Sequence, residues 1–170
     1  MEKQTQNPAD FLVKTFQLFA IVGFILCLGS IFSFIAMNLV MGNSPSVDSI
    51  YLQRLFVSKI TFVLIIPGIV LIVLGAVFLS WKQYGFFSNK WITIAQSLLI
   101  LIIINSTNIT LFADKVTAIA IKQKLTMTSI PEFILLKSKE DMFGALNLIM
   151  LLACLIIAIY QNVGEINIRP

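Results

Sequence analysis

Long uncharged apolar runs, separated by short polar stretches, dominate the chain. They fall at about residues 11–41, 48–81, 91–120 and 142–161. Each contains about 20 successive residues without a charge, the length at which an α-helix crosses the roughly 30 Å hydrocarbon core of a bilayer. The pattern therefore predicts an all-α fold, a four-helix transmembrane bundle with both termini on the same side. It also predicts that residues 1–170 form a single membrane domain.

Small residues and one proline interrupt the first two runs. Pro67 and Gly68 lie in the middle of the second run, where proline removes a backbone hydrogen bond, so we expect a kink with local rearrangement. Gly68 and Gly75 are seven residues apart and are expected to face a packing partner. Gly29 and Ser33 are four apart, a small-xxx-small spacing that predicts close approach of another helix.

The longest connection is expected at residues 125–141, because Pro131 breaks any helix that passes through it. Residues 133–136 are expected to lie in the membrane interface as a short amphipathic piece. Residues 114–124 keep roughly one apolar face and are expected to extend the third helix beyond the lipid.

Composition agrees with a membrane protein. Of the 170 residues, 58% are hydrophobic and 12% charged, about half the charged share of an ordinary soluble domain, and the mean hydropathy is +0.95. The net charge of +4 is modest and its basic residues are scattered near the helix ends, which favours lipid headgroups over nucleic acid as the partner. We expect a multi-pass protein of the inner or plasma membrane. Basic residues lie on both expected sides, so they leave the orientation open.

Residue chemistry narrows the functions that the bundle can host. The sequence has no histidine, so the commonest metal and haem ligand and the commonest neutral-pH base are missing. Cys27 and Cys154 each lie inside an apolar run, which favours packed small side chains. No catalytic motif, cofactor site or metal site is identified, and nothing in the sequence argues for an enzyme.

Two groups of polar residues are candidate sites. The first is an ion pair formed by Arg54 or Lys59 with Asp114, because the second helix starts on the side where the third ends and a buried cation needs a counter-charge. It is expected to be an anion site, a headgroup site or a proton-linked pair, or else a structural pair or cations that snorkel to the interface.

The second group lies inside the apolar helices. Four successive polar residues cover every face of the third helix, so some must contact other helices, with Asn147 or Gln17 as the expected partners. The cluster either holds helices together or lines a small-molecule cavity. Its members are Gln17, Asn105, Ser106, Thr107, Asn108 and Asn147.

The arrangement of single residues resembles a known family. Arg54 precedes the second helix, Pro67 is midway, Gly75 follows, Trp91 opens the third helix, and the fourth begins near Gly144. With the first helix reading FLVKTFQLFAIVGFILCLG, this resembles the DUF2269-type predicted four-helix bacterial membrane proteins and, more distantly, the copper-resistance CopD-like membrane domain.

Such families often carry a histidine three residues after a lysine in the first helix, where this chain has Gln17 after Lys14. A glutamine amide is a poor metal ligand, so the resemblance does not imply copper or haem binding.

The sequence favours a non-enzymatic bundle that acts as a subunit or as a small-molecule or lipid binder. Its expected partners are the lipid bilayer and either a second copy or a membrane partner subunit. A transporter or channel component is the alternative, although the inner halves of the second and fourth helices offer almost no polar residues for a path. A redox subunit is disfavoured by the absence of histidine.

Overall fold

A computed structural model describes residues 8–41, 46–88, 90–126 and 131–166, and every described element in it is helical. The helices Val47–Ile60 and Ile66–Leu79 are joined without a break by a π-helical turn, Thr61–Ile65, and together form one continuous helical rod. The chain therefore has four such rods within its described residues, each long and apolar enough to cross a membrane. The predicted all-α fold with four membrane-spanning helices is confirmed. The helices are α1 (Pro8–Met41), α2 (Val47–Ile60), α3 (Ile66–Leu79), α4 (Lys90–Thr126) and α5 (Pro131–Ile166).

The π-helical turn lies directly before Pro67. At its end the Ile66 N–H donates to the Thr61 carbonyl, five residues back, in place of the usual four. Pro67 follows as one of the first residues of α3, where its missing N–H costs least. The local rearrangement expected near Pro67 is thus a widened helical turn, and the bend itself stays a prediction.

Small residues let α1 and α3 approach closely. A Cβ atom built on Gly23 would lie 2.5 Å from the Gly68 carbonyl oxygen, and one on Gly75 would lie 2.8 Å from the Phe16 carbonyl oxygen. The expectation that Gly68 and Gly75 face a packing partner is confirmed, and that partner is α1. Gly29, of the Gly29–Ser33 spacing, does not pack against another helix within the described chain, because a Cβ on Gly29 would meet nothing within 4 Å.

The last helix begins earlier than the sequence indicated. α5 starts at Pro131, so the long connection expected at residues 125–141 and the separate interfacial piece at residues 133–136 were both wrong. Pro131 opens the helix because its missing N–H would be unpaired there in any case. The helix does continue through residues 114–124, since α4 ends at Thr126, and its extension beyond the lipid stays a prediction.

Two buried apolar clusters hold the helices. The first joins all four rods and contains Cys27, Ile72, Ile102, Met150, Leu151 and Cys154. The second joins the start of α2, the end of α4 and the start of α5, and contains Val116, Ala120 and Phe133 with Ile50, Ile119 and Leu136 packed around them.

The tryptophans mark one edge of the hydrocarbon. Trp81 and Trp91 are 67% and 61% exposed and lie beside lysines, as aromatic residues do at a membrane interface. Counting about 20 residues along each helix, or about 30 Å, puts the other edge near Thr61 on the second rod and Leu111 on α4. The second cluster therefore belongs to a three-helix extension outside the hydrocarbon.

Candidate functional site

A buried ion pair joins α2 to α5. Arg54 is 3% exposed, and its Nη2 atom donates to both carboxylate oxygens of Glu140, each at 2.7 Å. The Nε–H of Arg54 is also buried but has no hydrogen-bond partner among the described residues. An unpaired buried donor costs about 1–3 kcal/mol, and more when it belongs to a charged group.

The structure gives Arg54 a different partner from the one expected. Asp114 and Lys59 are both exposed, and neither takes part in an ion pair within the described part of the chain. The second ion pair there joins Lys124 to Asp48 at 3.2 Å on the surface of the extension. The predicted grouping of Arg54 and Lys59 with Asp114 is corrected accordingly, because Glu140 occupies the buried position beside the guanidinium.

The polar cluster of α4 does meet α5. Asn105 donates to the Asn147 side-chain oxygen and to the Phe143 carbonyl, both at 2.9 Å. Asn147 in turn donates to the Ser106 hydroxyl at 2.8 Å. Of the two partners expected for this cluster, Asn147 is therefore the one that it contacts, and the bonds form a small buried network between the two helices.

The other members of the expected cluster lie apart from this network. Thr107 is exposed and its hydroxyl donates to the Ile103 carbonyl of its own helix at 3.1 Å. Asn108 is half-buried on α4. Gln17 is half-buried near the start of α1, toward the opposite end of the bundle. Four successive polar residues cannot all face one neighbour on a helix, which is why only part of the run reaches α5.

A cavity of about 620 Å³ lies between the helices, and its lining includes the Arg54–Glu140 ion pair and the Ser106 and Asn147 side chains of the polar network. Its volume falls in the range of about 300–1,000 Å³ that is typical of small-molecule sites. Its inner part is apolar, lined by residues such as Cys27, Ile69, Ile102 and Leu151. Asn147 and Ser106 line its middle, and Arg54 and Glu140 line it where the bundle reaches the interface.

The charged residues that line the cavity compensate one another. They comprise two cations, Arg54 and Lys137, and two carboxylates, Glu140 and Asp141. The Arg54–Glu140 pair lies just beyond the hydrocarbon edge inferred from the tryptophans, whereas the apolar lining lies within it. The cavity thus runs from a nonpolar inner end to a polar, formally neutral outer end.

Glu140 was missed because residues 125–141 were expected to form a connection. The signal available in the sequence was spacing, because Glu140 lies seven residues, or about two helical turns, before Asn147. Phe133, Glu140, Asn147 and Cys154 share that spacing, and all four are buried. Following it toward Pro131 would have placed Glu140 on the same inward face as Asn147.

Metal and thiol chemistry find little support at this site. Across the ranges that the structure describes, no group of three or more His, Cys, Asp or Glu side chains could hold a metal ion. Cys27 and Cys154 are both buried, and their thiols lie 3.8 Å from the Ile65 carbonyl oxygen and 3.9 Å from the Ala95 carbonyl oxygen. Each acts as a small packed side chain with a weak hydrogen bond to a neighbouring helix.

Comparison with known proteins gave no relative: no protein-family model, no curated protein and no solved structure matches this chain.

Proposed function

We propose that this protein is a non-enzymatic membrane protein that binds one lipid-like molecule between its helices. The cavity carries this proposal, because its polarity changes along its length in the way that an amphipathic molecule does. An apolar chain would lie against Cys27, Ile102 and Leu151 within the hydrocarbon. A polar headgroup would lie at Arg54 and Glu140, at the depth of the surrounding lipid headgroups.

The distribution of polar residues supports binding over transport. On the far side of the bundle, Gln96 donates to the Ser80 hydroxyl at 2.9 Å and accepts from the Phe87 N–H. Between that end and the Asn105–Asn147 network lies the first apolar cluster, which joins all four rods. A transporter or channel needs a polar path across the bilayer, and within the described part of one chain this cluster interrupts it.

Filling the cavity tests the proposal. Gly144 lines the cavity, and a Cβ built on it would meet nothing within 4 Å, so Gly144→Leu should occupy ligand space without striking the backbone. Gly29→Leu is the matched control, since Gly29 is also a helical glycine with open space but does not line the cavity. Native mass spectrometry of protein purified in mild detergent would measure the fraction that carries a bound lipid-sized molecule.

We expect bound molecules on wild type and on Gly29→Leu, and at least about a tenfold lower bound fraction on Gly144→Leu, because about 1.4 kcal/mol of lost affinity already produces that change. Equal occupancy in all three proteins, or no bound molecule on wild type, would contradict the proposal.

A further inference from the structure

The chemistry at the outer end of the cavity restricts the headgroup that it accepts. We infer that the bound molecule is a single-chain lipid whose headgroup is uncharged and carries an oxygen acceptor, such as an ester carbonyl or a hydroxyl. This inference rests on the proposed function, because it specifies the ligand of the same cavity. Three observations carry it: charge balance, an unpaired donor and the length of the apolar lining.

Charge balance argues against an anionic headgroup. The guanidinium of Arg54 is already compensated by Glu140, which accepts two 2.7 Å hydrogen bonds from one nitrogen. Lys137 and Asp141 add one charge of each sign to the lining. A phosphate or carboxylate placed here would compete with Glu140 for Arg54. No unbalanced cation among the described lining residues would then offset the free-energy cost of removing that anion from water.

The unpaired donor argues for an oxygen acceptor. The Nε–H of Arg54 is fully enclosed, so a ligand in the cavity does not reach it. The Nη1 group of the same guanidinium, on a side chain that lines the cavity, also has no partner among the described residues, since Glu140 accepts only from Nη2. A hydrocarbon chain alone would leave this donor unsatisfied, whereas a carbonyl or hydroxyl oxygen satisfies it without adding a charge. The hydroxyls of Thr110 and Ser106, also in the lining, offer further partners to a glycerol-like group.

The size and shape of the site favour one chain. A cavity of about 620 Å³ is lined by residues of α1 and the second rod and by residues of α4 and α5. Its apolar lining reaches from Gly144, near the polar end, to Leu151, seven residues or about 10 Å deeper along α5. The site therefore extends along the membrane normal, as one acyl chain does.

A matched set of probes separates the alternatives. Delipidated wild-type protein in mild detergent is loaded with monooleoylglycerol, with oleoyl lysophosphatidic acid, or with an unsaturated hydrocarbon of the same chain length. Native mass spectrometry then measures the bound fraction of each probe, singly and in equimolar competition. We expect monooleoylglycerol to be preferred at least about tenfold over either other probe, a ratio that corresponds to about 1.4 kcal/mol.

Variants assign the preference to Arg54. Arg54→Lys keeps a cation beside Glu140 but removes the Nη1 group, so the preference for monooleoylglycerol over the hydrocarbon should fall at least about threefold, since about 0.65 kcal/mol corresponds to that change. Lys59→Arg is the control for a conservative exchange on the same helix, at an exposed position outside the cavity. It should leave the preference unchanged.

The outcomes distinguish this inference from the proposed function. If lysophosphatidic acid bound more strongly than monooleoylglycerol, the inference of an uncharged headgroup would be wrong. If the hydrocarbon bound as well as monooleoylglycerol, no ligand oxygen would be accepting a hydrogen bond from Arg54. An unchanged preference in Arg54→Lys would remove Arg54 from the site. In each of these cases displacement by Gly144→Leu would still support a lipid-binding cavity, whereas no binding of any probe would overturn both.

Discussion

Two helix interfaces in this bundle are built in opposite ways. Where α1 meets α3, glycines bring the backbones so close that a Cβ on Gly23 would lie 2.5 Å from a carbonyl oxygen. Where α5 meets α2 and α4, side chains make the contacts through the Arg54–Glu140 pair and the Asn105–Asn147 network. In lipid the first interface relies on dispersion between closely packed atoms, and the second relies on polar groups that would be costly to leave unpaired.

The comparison explains where a ligand site is possible. Glycine packing leaves no room between helices, so the α1–α3 contact closes one side of the bundle. The long side chains of Arg54 and Glu140 join α2 to α5 without close packing of the two backbones, and the cavity lies beside this pair, lined by Arg54, Glu140 and Asn147. Breaking each interface separately should therefore produce effects that differ in size and kind.

Removing the buried carboxylate should have the largest effect. Glu140→Ala leaves Arg54 buried without its counter-charge, and we expect the free energy of unfolding to fall by about 3–5 kcal/mol. Thermal or denaturant unfolding in mild detergent measures the change. Asp141→Ala is the control, because Asp141 is the next residue on the same helix but is exposed.

The double variant Arg54→Met with Glu140→Met sharpens this test. Replacing both charges with apolar side chains removes the unpaired ion, so most of the stability lost in Glu140→Ala should return. If Glu140→Ala were no less stable than Asp141→Ala, the pair would not contribute to holding α2 against α5.

Overpacking the glycine interface should have the next largest effect. Gly23→Ala places a methyl group against the backbone of α3, at 2.5 Å from the Gly68 oxygen and 2.8 Å from the Ile72 nitrogen, neither of which can rotate away. We expect a loss of about 1–3 kcal/mol in the same unfolding assay.

Gly29→Ala on the same helix has open space around its Cβ and should be neutral or slightly stabilising, since alanine favours a helix over glycine by up to about 1 kcal/mol. Equal stability of the two alanine variants would mean that α1 and α3 are not in such close contact.

Cutting the amide network should have a smaller effect. Asn147→Leu removes two hydrogen bonds but leaves Asn105 bonded to the Phe143 carbonyl, so we expect a loss of about 1 kcal/mol. Asn108→Leu provides the matched control, because Asn108 is half-buried on α4 and makes no hydrogen bond through its side chain among the described residues. A larger loss for Asn108→Leu would contradict the assignment of the network.

The smallest effect is expected at Asp114. The sequence predicts that this residue pairs with Arg54 or Lys59, which would make Asp114→Asn clearly destabilising. In the structure Asp114 is exposed and outside both described ion pairs, so the change in unfolding free energy should stay within about 0.5 kcal/mol. A loss comparable to that of Glu140→Ala would restore the original pairing and overturn the present one.

Part of the site could be predicted from single residues. Four polar residues in an apolar helix must find partners, so the cost of burying amides in hydrocarbon predicts a contact with another helix, with Asn147 or Gln17 as the partner. The partner of Arg54 could not be found in this way. Its choice between Asp114 and Glu140 depended on where α5 begins, and Pro131 fits both a loop and the first turn of a helix.

The hydropathy pattern is enough to indicate lipid as the surrounding medium and four as the number of membrane-length helices. Uncharged runs of about 20 residues are stable only as helices in lipid, because every backbone group must be satisfied within its own segment. Which faces meet is visible only once the helices are packed: Gly23 but not Gly29 contacts α3, Glu140 but not Asp114 compensates Arg54, and a cavity remains between the helices. Lipid-facing and helix-facing positions are equally apolar in such runs, so hydropathy alone cannot distinguish them. The packed glycines and the paired charges distinguish them because they show which side of each helix contacts another helix.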